Sequence, residues 1–152
     1  MKKSVLLLFV FGLFLVACSA SAQPDAAQNG IEIRGARVLL PGGDAMNGMD
    51  STLAGFMTIK NASAATDRLT GVSADFAEAS LHETKMEGDV MKMQAVPGLD
   101  IPAGQMVELR SGSYHVMFMN LTRQLKVGDT VNLTLEFQNA GKITFPVKVT
   151  EQ

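Results

Sequence analysis

Strict alternation of apolar and polar residues near the C-terminus constrains the fold of this chain more than any other feature. Along Val131–Phe137 (VNLTLEF) every odd position is apolar and every even position is polar, and Ile143–Val149 repeats the alternation after a turn at residues 139–141. This period of two is typical of β-strands with one buried face and one solvated face. Pro146 lies on the polar face of the second segment. Because proline has no amide hydrogen to donate, we expect that segment to be an edge strand.

Upstream, the sequence after residue 30 consists of short apolar or alternating segments separated by turns. No segment has a convincing helical period. The apolar or alternating segments are Ile31–Arg34, Arg37–Leu40, Leu53–Lys60, Arg68–Val72, Ser80–Thr84, Val90–Val96, Met106–Arg110 and Tyr114–Leu121. Together with the C-terminal pair, they indicate about seven to nine short strands with turns at spacings of about 8–12 residues, which predicts one all-β domain, an antiparallel β-sandwich.

The N-terminus is typical of an export signal. Two lysines precede Val5–Val16, a nearly unbroken apolar run of roughly 12 residues, which is too short to span a bilayer but suits a secretory signal. The run ends in LVAC at residues 15–18, which resembles the lipobox of bacterial lipoproteins. We therefore expect residues 1–17 to be a signal peptide and Cys18 to be lipidated. Ordinary cleavage after Ala22 is the alternative.

Residues 18–30 (CSASAQPDAAQNG) are mostly small and polar, which predicts a flexible tether before a domain that spans residues 31–152. Cys18 is the only cysteine, so we expect no internal disulfide. Ser19 replaces the aspartate that retains many lipoproteins in the inner membrane, so we expect an anchor in the outer membrane, facing the periplasm. A formal net charge of −2 gives no support for nucleic-acid binding.

The two histidines, His82 and His115, each lie in a predicted strand close to methionines, within HETKMEGDVMKM and SYHVMFM. Neutral imidazoles and thioethers together suit a soft cation such as Cu(I). In an oxidising compartment thiolates are lost to oxidation, whereas thioethers form no disulfides. Zn²⁺ and Mg²⁺ prefer harder or charged donors. The two segments therefore predict an exported Cu(I) carrier and not an enzyme.

Strand geometry predicts which methionines accompany the histidines. If Glu87 and Gly88, within MEGD, are the two loop residues of a hairpin, His82 lies directly opposite Met93, with Cβ atoms about 4.5–5.5 Å apart. His115 and Met117 project from one face of another strand, about 6.5–7 Å apart. A change of one residue in the loop length would place His82 and Met93 on opposite faces.

The remaining methionines fall into two groups. Methionine in a strand usually fills a core, and core positions are predicted for Met57, Met91, Met106 and Met119. Tyr114 and Phe118 are expected to pack as well. The candidate auxiliary copper contacts are Met86, beside the hairpin turn, and Met46 and Met49, in a loop that contains glycine and aspartate.

The residues His82, Met93, His115 and Met117 form the pattern H-x10-M-x21-H-x-M, which resembles the signature of the PCu(A)C family of periplasmic copper chaperones. The resemblance covers residues 33–149 and includes AGFMTIKN, DRL, HET, GDVMKM and GSYHVMFMNL. It implies a Greek-key, cupredoxin-like β-sandwich that binds one Cu(I) per chain through these four side chains at an exposed edge.

The resemblance also implies what the protein does with the metal. Members of the family carry copper and help to assemble the dinuclear copper centre of cytochrome c oxidase. The expected partners are an oxidase subunit or its assembly factors, and the expected carrier is a membrane-anchored monomer. Some members have a His- and Met-rich C-terminal tail with a second copper, and the absence of such a tail before Gln152 favours a single site.

Two other functions are compatible with the residues: a metal-free β-sandwich lipoprotein of the envelope, and a protein that sequesters copper for copper tolerance. An electron-transfer cupredoxin is excluded because a blue-copper site needs a cysteine thiolate, and Cys18 precedes the predicted domain. A copper oxidase or reductase has no support, since no carboxylate–histidine base is recognisable in the sequence.

Overall fold

Every regular element in the described parts of the chain is a β-strand, which confirms the all-β prediction. The computed structural model describes residues 23–41 and 51–151. Its strands are β1 Ala26–Gln28, β2 Ile31–Leu40, β3 Leu53–Asn61, β4 Asp67–Ala74, β5 Glu78–Glu87, β6 Val90–Ala95, β7 Leu99–Ile101, β8 Met106–Leu109, β9 Tyr114–Met119, β10 Thr130–Phe137 and β11 Gly141–Glu151. None of the described residues belongs to a helix of sufficient length and apolarity to traverse a bilayer. The predicted signal peptide, Cys18, Met46 and Met49 lie outside the described residues.

The strands form one hydrogen-bonded sheet that folds back on itself. Its order is β6-β5-β9-β3-β2-β11-β10-β4-β7, with β1 attached to β2 and β8 attached to β3. A short connection joins β4 to β5, although the two strands lie near opposite ends of this order. Phe76, in that connection, is fully buried against Phe118 of β9, with ring centroids 4.9 Å apart. The sheet therefore bends into packed layers around one core, as in a β-sandwich.

The pairing of β11 differs from the predicted antiparallel edge strand. Residues from Lys148 to Glu151 pair with β2 in parallel, so the sheet is mixed. β11 lies between β10 and β2, so the prediction of an edge strand from Pro146 is wrong. The proline is tolerated because pairing with β2 begins only at Lys148, and Pro146 is paired with Asn132 of β10 alone. Its missing amide hydrogen therefore costs no ladder bond to β2.

The alternation of apolar and polar residues in the sequence corresponds to the division between core and solvent in the structure. The odd-numbered apolar residues of β10 and β11 are buried, and Met57 of β3 is buried as predicted. The prediction of core positions for Met91 and Met106 is wrong, because both are largely exposed, and Met119 is only half-buried. Met91 and Met106 lie in β6 and β8, each of which pairs with a single neighbouring strand. These strands carry their methionines away from the core.

The folded domain begins before residue 31. Strand β1 pairs with β2, with Ala26 opposite Ile33, and the turn between them has positive φ angles at Asn29 (48°) and Gly30 (86°). The side-chain amide of Asn29 donates to the carbonyl of Ala140 at 3.0 Å. The prediction of a flexible tether over residues 18–30 is therefore wrong for its last residues, because their backbone and side-chain polar groups are bonded to the domain.

Gly55 allows β3 and β9 to pack closely. It pairs with Val116, next to His115 on β9. A Cβ atom on Gly55 would lie 2.8 Å from Cε2 of Phe118 and 3.3 Å from Cβ of Val116. The first distance is shorter than real Cβ contacts, so any side chain at this position would push against the buried ring. Glycine here therefore helps to fix the strand that carries His115 and Met117.

We expect Gly55→Ala to lower the free energy of unfolding by about 1–3 kcal/mol, because overpacking a core costs that amount. Urea denaturation of the two proteins measures the difference. Gly71→Ala in β4 is a matched control, since its Cβ would meet its nearest neighbour, Glu136 Oε2, at an ordinary 3.4 Å. Equal stability of Gly55→Ala and wild type would mean that Phe118 moves aside without cost.

Candidate metal centre

His82 and His115 lie directly opposite each other on neighbouring strands. The register of β5 against β9 pairs the two residues, and the centroids of their rings are 6.0 Å apart. His115 is 5% exposed, and His82 is half-buried. Because directly opposed residues project from the same face of a sheet, the two imidazoles point into one region.

The register of the β5–β6 hairpin differs from the predicted one by two residues. The loop is Gly88–Asp89, and Met93 lies opposite Thr84, so the predicted pairing of Met93 with His82 is wrong. Gly88 has a φ of 65°, and the first loop residue of a type II′ turn requires a positive value; such turns match the twist of the flanking strands. A shift of two residues keeps each side chain on its face. Met93 is therefore a diagonal neighbour of His82 on the same face.

Met93 and Met117 flank the histidine pair from opposite directions along the strands. Met117 is two residues beyond His115 on β9 and pairs with Ser80, whereas Met93 lies towards the hairpin turn. In a flat sheet these pairings would put the Cα atoms of the two methionines about 16 Å apart. Both thioethers can reach one ion only if the sheet is curved at this edge.

A cavity of about 340 Å³ shows that the hairpin does curve over the histidine face. Its lining includes Met91 and Met93 of β6, His115 of β9, and Ala54 and Phe56 of β3. β5 and β9 lie between β6 and β3 in the sheet, so β6 and β3 border one cavity only because the sheet bends. The structure thus brings Met93 and His115 to the same space. Neither His82 nor Met117, which pairs with Ala54, is part of this lining.

The ring nitrogens leave lone pairs available to a metal ion. Nδ1 of His115 lies 3.0 Å from the carbonyl oxygen of Ser113. A carbonyl only accepts, so Nδ1 carries the proton and Nε2 has the free lone pair, an orientation that metal-bound histidines usually have. Nε2 of His82 lies 3.0 Å from Oγ of Ser80, and its Nδ1 is buried without a hydrogen-bond partner. An unpartnered buried nitrogen costs about 1–3 kcal/mol, and coordination would offset that cost.

The surroundings of His82 favour the neutral imidazole that binds metals. Burial lowers the pKa of His82, and the neighbouring His115, when protonated, lowers it further by charge repulsion. Metal ions compete with protons for a histidine, so a lowered pKa widens the pH range in which the ring is free to coordinate.

In the described parts of the chain, harder donors such as carboxylates do not cluster with the two histidines. Within residues 23–41 and 51–151, no three or more side chains of His, Cys, Asp and Glu are grouped so that they could hold a metal ion. Glu83 follows His82 but projects from the other face, where its carboxylate lies 2.9 Å from Nζ of Lys85. Donors beyond the two imidazoles would therefore come from thioethers, a set that fits Cu(I) better than Zn²⁺.

Sequence reasoning missed two residues that position the histidines, and it misplaced a methionine beside the site. Ser80 and Ser113 hold the rings of His82 and His115; any residue supplies the carbonyl of position 113, so the sequence carries no signal for it. Met91 was assigned to the core, yet alternation along GDVMKM puts it on the face of Met93. An edge hairpin leaves that face uncovered.

The chain is similar to proteins described as lipoproteins. Residues 31–149 match the family model described as LpqE-like lipoprotein. A protein of Leifsonia xyli subsp. xyli, also described as a lipoprotein, is 34% identical over 133 residues, which cover 86% of this chain and 75% of the relative.

Solved structures with the same fold include PCuAC domains. The copper-bound PCuAC domain from PmoF2 has a TM-score of 0.67 at 23% identity, with 84% of this chain and 97% of that domain covered. The Cu(I) form of DR1885 from Deinococcus radiodurans has a TM-score of 0.61 at 31% identity, with 88% and 85% covered. These likenesses confirm the resemblance in fold that the sequence motif indicated.

We expect His82 to titrate below 6.5 in the copper-free protein, because burial and His115 both lower its pKa. The unfolded chain then binds a proton at His82 more readily than the folded chain. The contribution of this group to stability is therefore complete above pH 6.5 and decreases as the pH falls from 6.5 through the folded pKa. NMR of the ring protons gives the titration midpoint directly. In urea His82 should titrate near the ordinary value of about 6.5, and a folded-state midpoint of His82 at or above that value would contradict the expected burial.

Proposed function

The chain belongs to the LpqE-like lipoprotein family, whose fold here is of the PCuAC type, and we propose that it is an exported copper chaperone. It binds one Cu(I) through His82, Met93, His115 and Met117 and passes the ion to a copper-accepting protein. The direct pairing of His82 with His115 carries the proposal, because it brings both imidazoles of the chain near one ion on a face with thioethers on either side.

Four neutral donors suit a soft monovalent ion. Imidazole and thioether bind Cu(I) well, and a site without carboxylates discriminates against Mg²⁺ and Ca²⁺. The lowered pKa of His82 means that the ion displaces few protons at neutral pH. Relatives support copper as the cargo, since the PmoF2 domain is copper-bound and one structure of DR1885 holds Cu(I).

The position of the site favours transfer of the ion to a partner. Met93 lies in β6, at the end of the sheet order, and is 54% exposed. A thiolate of an acceptor can replace this exposed thioether first, while the imidazoles still hold the ion. Each exchange breaks one bond to copper as another forms, and copper remains Cu(I) throughout. From the resemblance to the PCu(A)C family, we propose that the acceptor is a cytochrome c oxidase subunit or one of its assembly factors.

The proposed location follows from the N-terminus. LVAC at residues 15–18 resembles a lipobox, and the similar protein of Leifsonia xyli is described as a lipoprotein. Lipidation of Cys18 would hold the domain at a membrane outside the cytoplasm. In a host with two membranes, Ser19 favours the outer membrane and the periplasmic side.

Met117→Leu is expected to lose Cu(I) affinity steeply in competition with a chromogenic Cu(I) chelator, because leucine has no lone pair to donate. Met119→Leu is the matched control, since Met119 lies on the same face one step further from His115 and pairs with Glu78. Such swaps conserve volume and usually cost less than about 1.5 kcal/mol, so both variants should fold.

Equal loss from the two variants would indicate a broader thioether cluster than the proposed four donors. Unchanged affinity of Met117→Leu would remove this residue from the site. A wild-type protein that binds no Cu(I) would instead support the metal-free envelope lipoprotein. Tight binding without transfer to a thiolate acceptor would support copper sequestration.

Cys18→Ser should release a soluble protein that still binds Cu(I), because the lipid is the proposed attachment and the site lies in the folded domain. Immunoblots of membrane and soluble fractions measure the release, and Ser19→Ala serves as a control that should stay with the membrane. Processing after Ala22, with the same fractionation for Cys18→Ser and wild type, would show that the anchor is not at this residue.

A further inference from the structure

The β5–β6 hairpin carries two methionines that no core explains. Met86 and Met91 lie directly opposite each other and are 63% and 64% exposed. Among the described residues, no strand pairs with β6 on its outer side. Two large apolar side chains therefore lie side by side at the end of the hairpin, outside the core, with their thioethers accessible from solvent.

The hairpin separates its charged residues from its sulfur-containing residues. The charged face carries the ion pairs Lys85–Glu83 and Lys92–Glu87. Side chains alternate along each strand, and the pairing of Met86 with Met91 and of Thr84 with Met93 puts these four on the opposite face, with His82. That face has no charged side chain between the turn and the histidines. A monovalent cation on it would meet thioethers and no competing ammonium group.

We propose that Met86 and Met91 form a separate, weaker docking site for Cu(I), from which the ion passes along the hairpin to Met93 and the histidines. Cβ atoms of directly opposed residues lie about 4.5–5.5 Å apart, so both sulfur atoms can contact one ion. Met91 and Met93 lie about 6.5–7 Å apart on one face of the strand. Two thioethers bind the ion less tightly than two thioethers and two imidazoles, so the ion moves towards the histidines. This inference rests on the proposed function of the four-donor site.

Movement of the ion along the hairpin is a series of ligand exchanges. The bond from copper to the sulfur of Met86 breaks as a bond to the sulfur of Met93 forms, and a ring nitrogen of His115 then replaces the sulfur of Met91. Every donor is neutral and copper remains Cu(I), so no electron or proton is transferred. Met91, Met93 and His115 line the same cavity, so the ligands of the later exchanges face one space.

The double variant Met86→Leu/Met91→Leu tests the docking site, with Met106→Leu, an exposed methionine of β8 outside the hairpin, as the matched control. The full chain carrying Cys18→Ser is labelled with ¹³C at the methionine methyl groups and titrated with Cu(I). The first equivalent should shift the Met93 and Met117 methyl signals, and a second, weaker equivalent should shift those of Met86 and Met91 together. The double variant should keep first-equivalent affinity, lose the second equivalent, and exchange Cu(I) with a chromogenic chelator several-fold more slowly.

Unshifted Met86 and Met91 signals with excess Cu(I), or wild-type exchange rates in the double variant, would overturn the docking site. Normal exchange with the small chelator and slow exchange only with a protein acceptor would assign the methionines to a protein contact and would also overturn it. If the first equivalent shifted neither the Met93 nor the Met117 methyl signal, the proposed four-donor function would be refuted instead. These signals are distinct from those of Met86 and Met91, so the two failures can be told apart.

Discussion

The antiparallel register of β5 against β9 is the constraint on which the rest of the candidate site depends. It places His82 opposite His115, and because side chains alternate between faces, a slip of one residue would separate the two rings. On its other side β9 is held by β3, where Gly55 permits the close approach of the buried Phe118. Packing in the core thus fixes the distance between two imidazoles that coordinate, in the proposed function, on the outer face of the same strands.

The site combines a firmly held ring nitrogen with an exposed thioether. His115 is nearly buried and its ring is oriented by the carbonyl of Ser113, whereas Met93 is half exposed on the strand at the end of the sheet. All four proposed donors are neutral, so electrostatic attraction adds little to the affinity of the ion. Such a donor set favours a soft cation and exchanges its exposed ligands readily, as a carrier requires.

Much of this arrangement could be predicted from the alternation of residues, and the errors have identifiable physical causes. Alternation identified β10 and β11, and the burial of Met57 followed from the usual role of methionine in a strand. Alternation contains no information about which strand lies beside β11. Pro146 suggested an edge strand because the proline precedes the residues of β11 that pair in parallel with β2. The hairpin register depended on whether Gly88 is the first or second loop residue, a choice that strand twist decides. Because the predicted hairpin register was wrong by two residues, an even number, Met93 still lies on the same face as His82. The exposure of Met91 could not be predicted from the sequence, because it depends on whether another strand covers β6.

X-ray absorption at the copper edge, on the full chain loaded with one equivalent of Cu(I), tests the proposed centre most directly. The edge position reports the oxidation state, and the fine structure separates sulfur from nitrogen neighbours. With His82, Met93, His115 and Met117 as ligands, we expect Cu(I) with two sulfur and two nitrogen neighbours. A first shell of nitrogen and oxygen alone, or an ion that binds only as Cu(II), would contradict the proposed site.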